Sequence, residues 1–198
     1  MSWLAARRAR RFPRSGLKLH LGCGTVRLEG WINIDLPSRA GELETKPDLN
    51  LDVRKPLPFA AGSARLIYHE HLMEHLTIDE GRRCLGDWLR LLEPGGVLRV
   101  ATPDLEYLVE RYRGDWRDQA WLRQSEYAFI RTRAEMLNVA LRWWDHRYVY
   151  DGEELERRMR EAGFGTVRRC TLGRSTVPEL AGLETRADSQ LILEGVKP

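Results

Sequence analysis

The chain has 198 residues, 42% hydrophobic and 31% charged, with a formal net charge of +3. That suits one domain over 1–198 with a real core and excludes a disordered or fibrous protein. The charge is too small to argue for nucleic acid, no apolar run approaches the ~20 residues of a membrane span, and no signal-peptide pattern opens the chain, so a cytoplasmic protein is expected.

Between Met1 and Leu28 there is no acid, while Arg7, Arg8, Arg10, Arg11, Arg14, Lys18 and Arg27 are basic. The basic segment 1–16 reads as a solvated tail or helix face, with contact to an anionic membrane surface, a glycan or a nucleic acid as the alternative. Trp3, Ala6, Ala9 and Phe12 follow a rough helical spacing, which predicts a helix covering one flank of the fold. Leu17 to Leu21 alternates at period two and meets Gly22-Cys23-Gly24, a strand feeding a tight turn. Trp31 to Asp35 and Asp48 to Asp52 alternate likewise, and Ala64 to Tyr68 is a fourth strand. Thr77 and Glu80 form a capping box opening a helix with the stripe Cys84, Leu85, Trp88, Leu91 and Leu92, which Pro94-Gly95-Gly96 stops. Val97 to Thr102 is the fifth strand. Asp151 and Glu154 cap another helix with Leu155, Met159 and Ala162 on one face, and two late strands fall at about 165–171 and 188–196. Strands and helices alternate, then a strand pair closes the chain, predicting an α/β fold with a mostly parallel sheet and helices on both faces.

The stretch 105–150 breaks that rhythm. It holds four of the seven tryptophans and five of the six tyrosines. It reads either as a helical subdomain packing its own rings or as a lid that walls a ligand pocket. The three cysteines, Cys23, Cys84 and Cys170, are odd in number and in no CxxC pair, so they read as reduced thiols.

Glycines directly after a strand let the backbone approach a ligand where a Cβ would collide. An acid at the end of the second strand, Asp35, is placed to accept hydrogen bonds from ribose hydroxyls. Gly22, Asp35, Asp52, Glu70 and Asp104 all fall at or just past strand ends, where ligands of open α/β sheets sit.

Five stretches carry a resemblance: Leu19 to Thr25 (LHLGCGT), Asp52 to Phe59 (DVRKPLPF), His71 to Leu76 (HLMEHL), Leu92 to Gly96 (LEPGG) and Glu161 to Phe164 (EAGF). In this order they resemble the class I S-adenosylmethionine-dependent methyltransferases, chiefly small bacterial methyltransferase-type-11-like members with a GWxNxD second strand, here Gly30 to Asp35. The resemblance runs from about Leu17 to Lys197. It implies a Rossmann-like seven-stranded sheet and S-adenosyl-L-methionine as cofactor. By it Gly22, Cys23 and Gly24 face the methionine part, Asp35 holds the ribose, Asp52 and Val53 meet the adenine, and Glu70 and His71 border the methyl end.

The chain departs from that family in three places. His20 stands where an acid is usual, Val26 stands where a third glycine is common, and about eight residues separate Gly22 from Trp31. A crossover between parallel strands normally takes a dozen or more, so the first crossover helix is expected to be lost or reduced to a turn. His71, Asp104 and His146 are the candidate general bases. His71-Leu-Met-Glu-His75 also matches the HxxEH spacing of one class of zinc peptidase, but the methyltransferase reading explains this stretch and four others, so no metal is expected. The expected activity is methyl transfer to a hydroxyl or amine of a small molecule or sugar. A cofactor-binding protein without catalysis is the alternative. A nucleic-acid enzyme is disfavoured because Thr102-Pro103-Asp104 stands in the region where many base-amine methyltransferases carry Asn/Asp-Pro-Pro-aromatic.

Overall fold

The computed structural model describes residues 11–37 and 47–198. Seven strands form one sheet in the order β3-β2-β1-β4-β5-β7-β6. They are β1 Leu17–Leu21, β2 Ile32–Asp35, β3 Leu49–Asn50, β4 Ala64–Glu70, β5 Leu92–Thr102, β6 Thr166–Arg169 and β7 Leu191–Val196. The pairs from β3 through β5 are parallel, and β7 runs antiparallel to both β5 and β6. This is the doubly wound, Rossmann-like α/β architecture with a closing antiparallel strand. The helices are α1 Ile78–Leu91, α2 Leu105–Arg113, α3 Arg133–Arg142 and α4 Gly152–Ala162. No helix among the described residues is long and apolar enough to cross a membrane.

β1 and β2 pair in parallel with no helix between them, only the turn-rich residues 22–31. β3 is shorter than its alternation suggests, because the two flanking acids turn to other work. Asp48 pairs with Arg27 and accepts from the Asn33 amide, and Asp52 pairs with Arg54. The Thr77 capping box is present, as Thr77 N donates to Glu80 Oε2 at 2.9 Å. A second box, Thr132 with Glu135, starts α3. α1 ends at Leu91, before the expected stop. Leu92 already pairs with Ala64, and Glu93 to Gly96 form a bulge that precedes the Leu66–Val97 pair. Gly95 there takes φ +78°, which favours glycine.

The main core lies between one face of the sheet and helices α1 and α4, with Leu19, Leu21, Ile34 and Ile67 meeting Leu85, Trp88, Leu155 and Met159. Among the described residues the other face is covered by the irregular stretch 170–190, which contains a short 3-10 turn at Pro178–Leu180. The reason lies in the sheet itself. Register pairs carry a buried polar row across that face, Asn33, His20, Tyr68, Arg99 and Glu194, which an apolar helix stripe could not satisfy. Polar staples hold the stretch down instead. Arg99 bonds Glu184 at 2.5 Å, Glu194 at 2.7 Å and the Arg174 carbonyl at 3.0 Å, and Ser175 donates to Glu194.

The expected N-terminal helix lies mostly outside the described residues. Of it only Phe12 is placed, half-buried against the main core, and residues 11–16 form turns and bends. The stretch 105–150 builds its own small core from Leu108, Trp116, Trp121, Met136 and Val139.

Candidate active site

A cleft of about 700 Å³ opens at the carboxyl ends of β1 and β4, within the size range of small-molecule sites. Three parts of the chain make its wall. The glycine turn contributes Gly22 to Val26, the β4 exit contributes Glu70, His71 and His75, and the helical stretch contributes Trp121, Tyr127, Trp144 and His146. A fourth wall, Leu183 to Asp188, comes from the staple-held stretch. Nothing in its sequence pattern announced it.

The glycine turn is rigid for a local reason. Gly22 and Gly24 have φ of +62° and +52°, angles that cost other residues about 1–2 kcal/mol. Cys23 N donates to Ile34 O at 3.2 Å, and Gly24 N donates to Asp35 Oδ2 at 2.6 Å. The Asp35 carboxylate therefore locks the turn onto the end of β2. A Cβ on Gly24 would meet nothing within 4 Å, so the turn presents bare backbone, as a cradle for a ligand requires. Burial pushes the Cys23 thiol up to about 12, so it stays protonated and is no nucleophile. The departure at His20 has a structural account. Its Nδ1 lies 3.0 Å from Asn33 Oδ1, its ring stacks on Tyr68, and burial lowers its pKa. His20 is thus a neutral part of the floor. Asn33 also donates to the Leu28 carbonyl and accepts from Leu28 N, pinning the loop before β2.

Glu70 lines the cleft, but its carboxylate is occupied. It accepts from Thr185 N and Oγ1, Arg186 N and Ser189 Oγ. Burial opposes its charge, yet the Thr185 and Ser189 donors outweigh that and hold the carboxyl below its usual range. It fastens the fourth wall. Asp52 and Val53 are not in the wall. Asp52 takes a bidentate contact from Arg54, and the Val53 carbonyl accepts from the Cys84 thiol at 3.3 Å.

The structure also parts the three candidate bases. His71 and His146 line the cleft and Asp104 does not. Asp104 is buried, caps α2 through Glu106 N, and pairs with Arg169 at a smaller depression beside it. The physical reason is that Asp104 directly precedes α2, where free N–H groups attract a carboxylate. Asp104→Ala is accordingly expected to cost about 1–2 kcal/mol of stability and to leave cofactor affinity unchanged; calorimetric melting and binding titration of one preparation check both.

His71 has φ +51°, in the left-handed region. Its Nδ1 stands 3.0 Å from Glu74 Oε1, and its Nε2 has no hydrogen-bond partner among the described residues. An imidazole so placed can donate Nδ1–H to the carboxylate, the tautomer in which Nε2 is the acceptor. Glu74, the acid of the HxxEH spacing, is fully buried and accepts from Thr102 Oγ1 at 2.9 Å. Burial works against its charge, but the adjoining His71 outweighs it and the carboxyl is held down to about 2. His75 meets His146 edge to face, with centroids 5.1 Å apart. Trp121, Tyr127 and Trp144 form a mutually T-shaped trio with centroids 5.2–5.7 Å apart, a geometry that aromatic rings favour.

No protein-family model and no curated protein matches the chain. Solved structures do. A S-adenosylmethionine-dependent methyltransferase of Thermotoga maritima, titled a possible histamine N-methyltransferase, aligns over 98% of this chain and 88% of its own, at 18% identity and TM-score 0.57. An O-methyltransferase family protein of Burkholderia thailandensis aligns over 93% of this chain and 51% of its own, at 17% identity and TM-score 0.52. PigF, solved with SAH, aligns over all of this chain and 62% of its own, at 15% identity and TM-score 0.52. The chain thus spans under two thirds of the latter two. Its fold is that of the class I S-adenosylmethionine-dependent methyltransferases.

Proposed function

We propose that the protein is a S-adenosylmethionine-dependent methyltransferase acting on a hydroxyl or amine of a small molecule or sugar. One observation carries this reading. The backbone cradle of Gly22 to Gly24, locked on Asp35, opens into the same cleft as His71, His75, His146 and an aromatic wall. When bound, the cofactor supplies an electrophilic methyl on a sulfonium. The chain's own task is then to bind, to align and to keep water out. Gly22, Cys23 and Gly24 take the methionine part, and Asp35 takes the ribose with the lone pairs left by Gly24 N and Leu36 N. Asp52 and Val53 keep their proposed adenine role only through the faces that Arg54 and Cys84 leave open. Trp121, Tyr127 and Trp144 enclose the acceptor. His71 Nε2, oriented through Nδ1 by Glu74, takes the acceptor's proton.

The direct test is calorimetry with S-adenosylmethionine and its demethylated product. Micromolar binding, about 8 kcal/mol, with no comparable affinity for NAD is the expected result. Asp35→Ala should weaken that binding by about 1–3 kcal/mol, since it removes a ribose acceptor and unlocks the turn. An unchanged titration in that variant removes Asp35 from the site, and no binding by the wild-type chain removes the reading.

A further inference from the structure

Glu74, His75 and His146 each offer one oxygen or nitrogen, and the three atoms lie within 4.8 Å of one another. We propose that these residues bind a first-row divalent cation at the wall of the cleft, and that the cation holds the oxygen of the methyl acceptor. The binding site stands on geometry alone. Its role rests on the methyltransferase reading above.

The donor set is two imidazoles and one carboxylate. That combination suits zinc, iron(II) and their neighbours, and suits magnesium or calcium poorly. It is not the arrangement that HxxEH spacing suggests. Residues 73–75 form a 3-10 turn and not a helix, and His71 approaches the Glu74 carboxylate instead of sharing a ligand position with His75. The partner His146 arrives from the far end of the helical stretch. The expectation of no metal considered the HxxEH spacing and not His146.

Three features hold the trio in place. Arg147 N and Tyr148 N both donate to the Glu74 carbonyl, at 2.7 and 3.2 Å, so main chain fixes the distance between the two halves. His146 Nδ1 lies 2.9 Å from the Ala140 carbonyl and must donate to it, which leaves Nε2 as the lone-pair nitrogen. Ligating imidazoles are oriented in this way, with the other ring N–H tied to a carbonyl or carboxylate. Directly before His146, Trp144 and Asp145 take φ of 57° and 64°. Two consecutive left-handed residues that are not glycine cost energy, and such costs persist where a site demands them.

Glu74 supplies an independent reason. Its carboxylate is wholly buried, and among the described residues no arginine or lysine lies within ion-pairing distance. With an imidazole as its nearest basic partner, a wholly buried carboxylate gains from a further cation. Thr102 and His71 approach it on two sides, and a carboxylate has about four lone-pair sites, so capacity remains for a metal. His75 and His146 line the cleft where Glu74 does not, which places the open coordination positions on the acceptor side. A cation there favours an oxygen nucleophile, since it lowers the proton affinity of a bound hydroxyl, and repels a protonated amine. A hydroxyl flanked by a second oxygen, as in a sugar or a diol, is the acceptor class that fits.

The experiment uses the full chain, stripped by a chelator and titrated with cobalt(II) and then zinc. We expect one cobalt per chain with visible ligand-field absorption, displaced by one zinc. His75→Ala and His146→Ala should each weaken cobalt binding by more than about 100-fold, beyond the usual loss for a residue that merely orients a ligand. Glu74→Gln should do the same, and His146→Gln repeats the test at a half-buried position where folding is least at risk. Binding of S-adenosylhomocysteine is measured on the same samples. Stoichiometric cobalt lost in the histidine variants supports the site. No stoichiometric cobalt on the wild-type chain overturns it, as does unchanged affinity in both histidine variants. Failure of homocysteine-product binding with cobalt retained would sink the methyltransferase reading and leave the cation site standing.

Discussion

His71→Ala is expected to lower kcat by about 10²–10⁴, the usual worth of a positioned general base, with cofactor affinity nearly intact. The expectation follows from the two nitrogens of the ring. Nδ1 stands 3.0 Å from the buried Glu74 carboxylate, and Nε2 makes no hydrogen bond among the described residues, with Asp188 Oδ1 3.9 Å away, in a residue that lines the cleft. Steady-state rates need an acceptor, found by screening hydroxyl compounds for methyl incorporation. His146→Ala is the informative rival, because His146 also lines the cleft. A rate kept in His71→Ala and lost in His146→Ala would move the base to the helical stretch. A cofactor affinity that collapses in His71→Ala would make it a shaping residue instead. Because His71 touches Glu74, the cobalt titration is repeated on the variant, so that a lost cation is not read as a lost base.

Arg99→Met should cost about 3–5 kcal/mol, the effect of removing one partner of a buried ion pair. Arg99 is fully buried and is clasped by Glu184 and Glu194, themselves buried. Without it Glu194 keeps Arg168 and Ser175, whereas among the described residues Glu184 keeps only the Gly173 amide. The melting temperature should fall by about 6–20 °C for a domain of this size. The loss has a functional echo, because the same stretch supplies the Leu183 to Asp188 wall of the cleft. A change below about 1 kcal/mol in a reversible melt would show the stretch to be held by its apolar contacts alone.

The parts of the molecule that were legible in the sequence are those in which one physical rule acts at short range. Alternation marked β1, β2, β4 and β5, and Thr77 with Glu80 marked the start of α1. The same logic applied to Thr132 and Glu135 would have marked α3, but the irregular aromatic pattern around it hid the signal. Glycines after β1 and an acid ending β2 placed the cradle, and the structure adds that the acid's first partner is the turn itself. The helix-cap role of Asp104 was not legible, because a strand-end acid and a helix cap look identical when the next helix is not recognised. The fourth wall could not be read at all. Stretch 170–190 has no periodicity, and its attachment depends on pairs such as Arg99 with Glu184 and Glu70 with Thr185, each more than 80 residues apart in sequence. The approach of His146 to Glu74 and His75 was hidden for the same reason.

The missing crossover helix also bears on the order in which the molecule can assemble. Most parallel strand pairs must close a long loop before any contact rewards them. Here β1 reaches β2 across residues 22–31, while reaching β4 spans residues 22–63, and closure entropy makes the shorter loop cheaper by about 1 kcal/mol. The Cys23 and Gly24 hydrogen bonds to β2 lie inside that short loop. The glycine-turn side of the cleft is therefore a local structure, formed by neighbours in the chain. The opposite side gathers residues from 103–146 and 183–190 and must wait for the rest of the sheet.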